Sequence, residues 1–142
     1  EVYDLKLDRA RLAVLSACET AIPGLKNPDE MIALPSGWMQ AGVPGVVGTL
    51  WAVNDLSTAM LIARFYDLWR QQGLPLPQAL RQAQRWLRDL YQNKEALAEL
   101  NSMTEQARLR MPAQQAKAFL PQALLRDFSH PYYWASFTFT GL

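Results

Sequence analysis

The sequence predicts an α/β fold, and three features carry that prediction. Two short continuous apolar runs, "LAVL" at 12–15 and "VVGTLWAV" at 46–53, read as strands buried on both faces, as in a parallel sheet. Between and after them, apolar residues recur at helical spacing. Near the carboxyl end "YYWASFTFTG" alternates: Tyr133, Ala135, Phe137 and Phe139 against Trp134, Ser136, Thr138 and Thr140. That is the pattern of a half-buried edge strand. Strand, helix, strand, two helices, a helical insert and a last strand is an α/β order.

Taken in order, Leu12–Leu15 forms the first strand and delivers the chain into Ser16-Ala17-Cys18-Glu19-Thr20. Residues 22–30 carry two prolines, a glycine and an asparagine, so they form a loop. Leu34-Pro35 starts a helix through Trp38, Met39 and Ala41, and Gly42 ends it. Val46–Val53 is the second strand, after which Asn54 and Asp55 can cap a helix. That helix, Leu56–Gln72, is apolar on most sides, with a narrow polar stripe of Arg64, Asp67 and Gln71, and Gly73 stops it. Pro77 starts another helix, whose apolar stripe is Leu80, Ala83, Leu87 and Leu90 with Trp86 and Tyr91. Residues 93–129 read as weaker helices, broken near Met111-Pro112 and Leu120-Pro121. Both early strands look buried on both faces, so further strands are expected upstream to pair with them.

The 142 residues suit one domain with a sizeable core, and 50% hydrophobic with 19% charged residues describes a folded chain rather than a disordered one. A net charge of +1 gives no bulk attraction to nucleic acid or to an anionic membrane surface. Arg64, Arg70, Arg81, Arg85, Arg88, Arg108 and Arg110 are spaced as a solvated helix face, not as a phosphate track. One cysteine forms no internal disulfide, and no Cys/His cluster has metal-ligand spacing. No signal peptide, membrane-spanning run or Gly-rich phosphate loop is evident. A cytoplasmic setting is expected. The chain opens on Glu1 rather than methionine, which points to a piece of something longer.

Cys18 has two readings. It is a small buried hydrophobe, the usual fate of a lone cysteine. Or it is a nucleophile at the carboxyl end of a parallel strand, where open α/β sheets place their ligand crevice. The one histidine, His130, stands before Pro131, which favours extended backbone leading into the last strand. Trp38, Trp69, Trp86 and Trp134 read as core packing, and Ser16 and Thr20 as local hydrogen-bonding residues.

"LAVLSACET", "GWMQAGVPGVVGTLWAVND", "RFYDLW", "ALRQAQRWL" and "HPYYWASFTFTG" together resemble the C-terminal half of a CHAT domain, the caspase-like domain associated with tetratricopeptide repeats. The likeness covers residues 1–92 and 129–141. It implies a caspase–hemoglobinase-like fold, a mostly parallel sheet with flanking helices, here lacking its N-terminal part. Residues 93–129 would be a helical insert within that single domain. The loop "AIPGLKNPDE", often glycine-rich in the family, here has one glycine.

The resemblance assigns Cys18 as the catalytic nucleophile of an intracellular cysteine peptidase that hydrolyses peptide bonds. Its base, a His followed by Gly, is expected upstream of this chain. The caspase spacing places such a His about 50 residues before the Cys, whereas 17 residues precede Cys18. His130 matches the approach to the last strand rather than the base. Trp51, Ala52, Val53, Asn54 and Asp55 would line the substrate cleft, their backbone pairing with an extended peptide. Strand end and helix N-cap is the competing account of those five residues. No metal and no organic cofactor is expected. Expected partners are a protein or peptide substrate, repeat domains attached in the parent protein, and a second copy through an exposed sheet edge. By itself the chain is expected to be inactive. Two rival readings are a catalytically inactive caspase-like domain used for protein–protein recognition or regulation, and a metabolic α/β domain with a buried thiol.

Overall fold

The computed structural model describes residues 5–7, 9–15, 35–110 and 127–141. These form β1 (Ala13–Leu15), α1 (35–40), β2 (Gly45–Thr49), α2 (Asp55–Arg70), α3 (Leu76–Arg88), α4 (Lys94–Arg110), a 3-10 turn at Pro131–Tyr133, and β3 (Phe137–Gly141). The chain divides into a sheet unit, Glu1–Asn54 with Ala135–Leu142, and a helical unit, Asp55–Trp134. The α/β class expected from the sequence is present.

In the sheet unit the strand order is β1-β2-β3. β1 runs parallel to β2, with Ala13 opposite Val46 and Leu15 opposite Gly48. β3 runs antiparallel to β2, with Gly45 opposite Gly141 and Thr49 opposite Phe137. The expected mostly parallel sheet is thus represented among the described residues by the β1–β2 pair alone. Val46 and Val47 are fully buried, as suits β-branched side chains in a central strand. β1 does not match its expected burial on both faces: Ala13, Val14 and Leu15 are each half-buried.

β2 stops four residues short of the expected end at Val53. Leu50 and Trp51 are 49% and 38% exposed, and Leu50 N–H donates to Ser136 O at 2.9 Å just beyond the ladder. An apolar run does not by itself distinguish a strand from the exposed apolar segment that follows it.

The turn into β2 follows the sequence closely. Gly42 has φ +99°. Its N–H donates to Met39 O (3.0 Å), and Val43 N–H donates to Trp38 O (3.1 Å). That pair of bonds closes α1 with a left-handed glycine just past its end. At the same end of the sheet, opposite Gly45, Gly141 has φ +155°, and a Cβ there would strike Pro44 O and lie 2.9 Å from Gly45 Cα.

The helical unit is built on α2 and α3. α2 buries Leu56, Met60, Leu61, Phe65 and Leu68, and α3 buries Ala79, Leu80, Ala83, Trp86 and Leu87. Each large side chain removed from water contributes on the order of 1.5–3 kcal/mol. Of the expected polar stripe Arg64, Asp67 and Gln71, Gln71 is exposed and Asp67 half-buried, while Arg64 is largely covered; Ala59, Ala63, Tyr66 and Arg70 also face solvent. The predicted stripe of Leu80, Ala83, Leu87 and Leu90 is buried, Leu90 lying just past the end of α3. α4 is described over Lys94–Arg110. The loop at 22–30 and the breaks at Met111-Pro112 and Leu120-Pro121 lie outside the described residues.

The last predicted strand is shorter than its alternation suggested. Pro131–Tyr133 is a 3-10 turn, and β3 begins only at Phe137. His130 Nδ1 accepts from Tyr132 N–H at 3.2 Å, and Pro131 occupies the first helical position, a combination that starts a tight helix. Trp134 is then fixed on the helical unit. Its Nε1 donates to Ser129 O (3.1 Å), Gln84 Nε2 donates to its carbonyl (3.0 Å), and the Arg88 guanidinium lies 5.9 Å from its ring. Phe128, fully buried, meets Tyr133 edge-on at 5.3 Å and stacks on Tyr91 at 6.4 Å.

Candidate functional site

The parallel pair fixes the geometry. Leu15, the last described residue of β1, lies opposite Gly48, and β2 ends one residue later at Thr49. Neighbouring strands lie about 4.8 Å apart, so Leu15 and Gly48 are neighbours toward the carboxyl ends of the two strands. Cys18, with its neighbours Ser16, Glu19 and Thr20, lies outside the described residues.

The second segment is described. After Thr49 and Leu50 the chain presents Trp51 and Ala52 to solvent, buries Val53 (6% exposed) and half-buries Asn54. These four residues belong to the sheet unit. Asp55, exposed, is the first residue of α2 and places an acidic group in the helix's first turn, where the N–H groups and the dipole favour negative charge. The five expected cleft residues therefore form one continuous segment beyond the carboxyl end of β2. Val53 is its internal anchor, and Trp51 and Ala52 are its exposed part.

On the sheet face at this end, Gly48 is flanked by Leu15 of β1 and Thr138 of β3. Thr138 Oγ1 lies 3.5 Å from Gly48 O. Ser136, fully buried in the sheet unit, has an Oγ with no hydrogen-bond partner among the described residues.

His130 is exposed, and its Nδ1 caps the 3-10 turn. Its role in the described structure is that of a turn-forming residue, as the match to the approach of the last strand implied.

The helical unit holds a second concavity that the sequence reading did not anticipate. It is a cleft of about 270 Å³ lined by Arg64, Trp86, Arg85, Asp89, Glu95 and Glu99 among others. Arg64 spans it, donating from one terminal nitrogen to Asp67 (2.8 Å) and from the other to Glu99 (2.9 Å). Asn93 Oδ1 accepts from Glu95 N–H (2.8 Å) and caps α4. Arg88 forks onto Asp89 at 2.6 and 2.7 Å. That hydrogen bonding holds the Asp89 carboxyl below its ordinary pKa and lifts the Arg88 guanidinium above its own. Two arginines, Arg64 and Arg85, and three carboxylates, Asp89, Glu95 and Glu99, line the cleft. Trp86 Nε1 and Arg64 Nε are buried with no partner among the described residues, but both are sealed within the wall. The pairing of Arg64 with Glu99 spans 35 positions, so no local spacing announces it.

Among the described residues no group of His, Cys, Asp or Glu could hold a metal ion, and no helix is long and apolar enough to cross a membrane. The family profile of the CHAT domain matches residues 1–142. It therefore also covers residues 93–129, where the resemblance was weakest. No curated protein and no solved structure matches the chain.

Proposed function

The chain belongs to the CHAT domain family, a caspase-like, protease-related family, and on that footing we propose that it supplies the nucleophile and the substrate-binding strand end of a cysteine endopeptidase. The observation that supports this reading most is the register of the parallel pair. Leu15, the last described residue of β1, lies opposite Gly48, one residue before β2 ends at Thr49. Cys18 follows Leu15 by three residues, so covalent geometry keeps its Cα within about 11 Å of Leu15. Trp51 follows Gly48 by the same interval. The thiol and the peptide-binding segment would thus share the crevice beyond the strand ends, the usual ligand position in such sheets.

In this reading the Cys18 thiolate attacks the carbonyl carbon of the scissile peptide bond. Its backbone N–H donates to the developing oxyanion. The C–N bond breaks, the leaving amine takes a proton, and a thioester remains until water hydrolyses it. The base is a histidine from outside residues 1–142, because His130 already serves the 3-10 turn. The substrate lies extended along Trp51–Val53, main chain to main chain. Asp55 follows in sequence as the first residue of α2, its carboxylate suited to the helix N-terminus and to a basic group of the substrate.

The deciding experiment is a fluorogenic peptide-library assay on the full-length protein. Turnover lost with Cys18→Ala and kept with His130→Ala is the expected result. Absence of turnover in the full-length protein, with Cys18 reacting as an ordinary thiol, would establish a non-catalytic recognition module instead.

A further inference from the structure

Gly48 occupies a strand interior without any of the usual reasons for glycine. Within a strand, glycine weakens the structure and normally marks a bulge, a left-handed backbone or the close approach of a neighbouring group. The register runs unbroken through Gly48 on both sides, opposite Leu15 and opposite Thr138, so there is no bulge. Its φ is not positive, unlike those of Gly42, Gly73 and Gly141. A Cβ built on it meets no described atom within 4 Å. Gly141 shows the contrast, since a Cβ there would collide with the backbone of Pro44. The space over Gly48 is kept open for something other than this chain's described residues.

We infer that this space receives an apolar side chain of the peptide substrate, and that Gly48 is a specificity-determining position. The inference rests on the peptidase reading above and names its substrate preference. The location follows from the register, because Gly48 lies opposite Leu15, the last described residue of β1, toward the carboxyl end of both strands, where sheets of this kind place their ligand crevice. The polarity follows from the neighbours. Paired residues share a face and side chains alternate along a strand. The face of Gly48 is therefore shared by Val46, Leu15 and Thr138, with Ala13 and Thr140 one pair further back. Thr138 directs its hydroxyl to Gly48 O at 3.5 Å. None of these side chains is ionisable, so a charged substrate group entering here would lose water without gaining a partner. An aliphatic side chain of leucine or methionine size loses no hydrogen bond on entering and gains contact with Leu15 and Val46.

The test uses the full-length protein with Gly48→Ala and Gly48→Val, and two readouts. The first is thermal unfolding. Because nothing crowds Gly48 and its backbone is ordinary, Gly48→Ala is expected to leave the Tm unchanged or raise it. A clear fall in Tm would make the glycine structural and overturn the inference. The second is the rate of covalent labelling of Cys18 by peptide acyloxymethyl ketones that differ in one side chain (Gly, Ala, Leu, Asp or Lys), with iodoacetamide as the control for thiol reactivity. The wild type is expected to favour the Leu probe. Gly48→Val is expected to slow the Leu probe by about tenfold or more, leaving the Gly probe and iodoacetamide unchanged. Equal slowing of every peptide probe, or a wild-type preference for Asp or Lys, would overturn the pocket. A wild-type Cys18 that reacts with iodoacetamide but with no peptide probe would refute the peptidase reading and, with it, the occupant named here. The Tm of Gly48→Ala would still report separately whether the glycine is structural.

Discussion

Leu15, the last described residue of β1, faces Gly48 in the parallel β1–β2 ladder, one residue before β2 ends at Thr49. The residues read as catalytic and substrate-binding follow these two in sequence. A one-residue slip would turn every side chain of β1 to the opposite face of the sheet. The chemistry proposed for Cys18 depends on this register.

Thiol reactivity separates an assisted cysteine from an unassisted one. In residues 1–142 alone, Cys18 is expected to alkylate as an ordinary free thiol, its rate rising with pH as the thiolate forms. In the full-length protein the rise should come earlier, because a neighbouring base lowers the thiol pKa. Second-order iodoacetamide rates from pH 5 to 10 on both proteins are the measurement. Identical profiles would count against a base outside this sequence.

Trp51 is 38% exposed, so Trp51→Ala is expected to change stability by less than about 1 kcal/mol. If the segment after β2 holds the substrate, the same change should lower kcat/KM for peptide by about tenfold or more, since an indole face is a large contact surface. Urea unfolding and a peptide assay on one variant separate the two effects. A parallel loss of stability and activity would mean that Trp51 is a packing residue.

Arg64 tests what the ion pairs of the helical unit contribute. Its side chain is 13% exposed, while those of Asp67 and Glu99 are 37% and 44% exposed, so solvent screens both pairs. Arg64→Ala is expected to cost about 1–2 kcal/mol, mostly through lost packing of the aliphatic stem. Arg64→Met, which keeps the stem, should cost less than about 1 kcal/mol. Urea midpoints give both numbers. Equal losses would show that the charge, rather than the stem, matters.

Gly141 is the glycine that cannot change. Its φ of +155° and the clash of a Cβ with Pro44 O predict that Gly141→Ala costs roughly 2 kcal/mol or more through strain and displaced backbone. Thermal unfolding of Gly141→Ala beside Gly48→Ala should move in opposite directions, or at least differ by several degrees.

The acid limb of stability should carry the marks of Asp89 and Asp127. Both carboxyls lie below their ordinary pKa, Asp89 through its hydrogen bonds with Arg88 and Asp127 through the Ser129 N–H (2.9 Å) and then the Ser129 hydroxyl. Folding that depresses a carboxyl pKa adds stability above the unfolded pKa, about 3.9. That support disappears as pH falls through the lower folded value. Carboxyl-carbon NMR titration between pH 1.5 and 6 should find both midpoints depressed. Arg88→Gln should restore Asp89 to the ordinary range. Ser129→Ala should leave most of the Asp127 depression, because the backbone donor remains.

What the sequence made legible followed from local rules. Gly42 as a helix terminator needed only a left-handed glycine after an apolar helix, and the α3 stripe of Leu80, Ala83 and Leu87 needed only helical periodicity. β2 was overextended because Leu50 and Trp51 are apolar yet exposed, and hydrophobicity carries no sign of which surface waits for a ligand. Alternation was equally ambiguous at Tyr133–Ser136, where the Nδ1 cap from His130 and the seat of Trp134 on α3 override a pattern of period two. The Arg64–Glu99 pair and the burial of Phe128 join residues far apart in sequence, and only the tertiary structure brings them together. Of the candidate site, Trp51–Asp55 is described as the segment that follows β2, and Cys18 lies outside the described residues. The openness over Gly48 was not legible, because a glycine in a strand looks the same whether it is crowded or vacant.

The antiparallel pairing of β2 with β3 also governs how the chain is made. About 90 residues separate Thr49 from its partner Phe137. At ribosomal speeds of about 5–20 residues per second, β3 appears roughly 5–20 seconds after β2. The contiguous helical unit, Asp55–Trp134, emerges whole in that interval and can fold on local contacts first. Throughout that time the β3-facing edge of β2 has no native partner, with Val46 and Val47 at its centre. Nascent-chain quality control would meet this protein there, as an apolar strand waiting for its last neighbour.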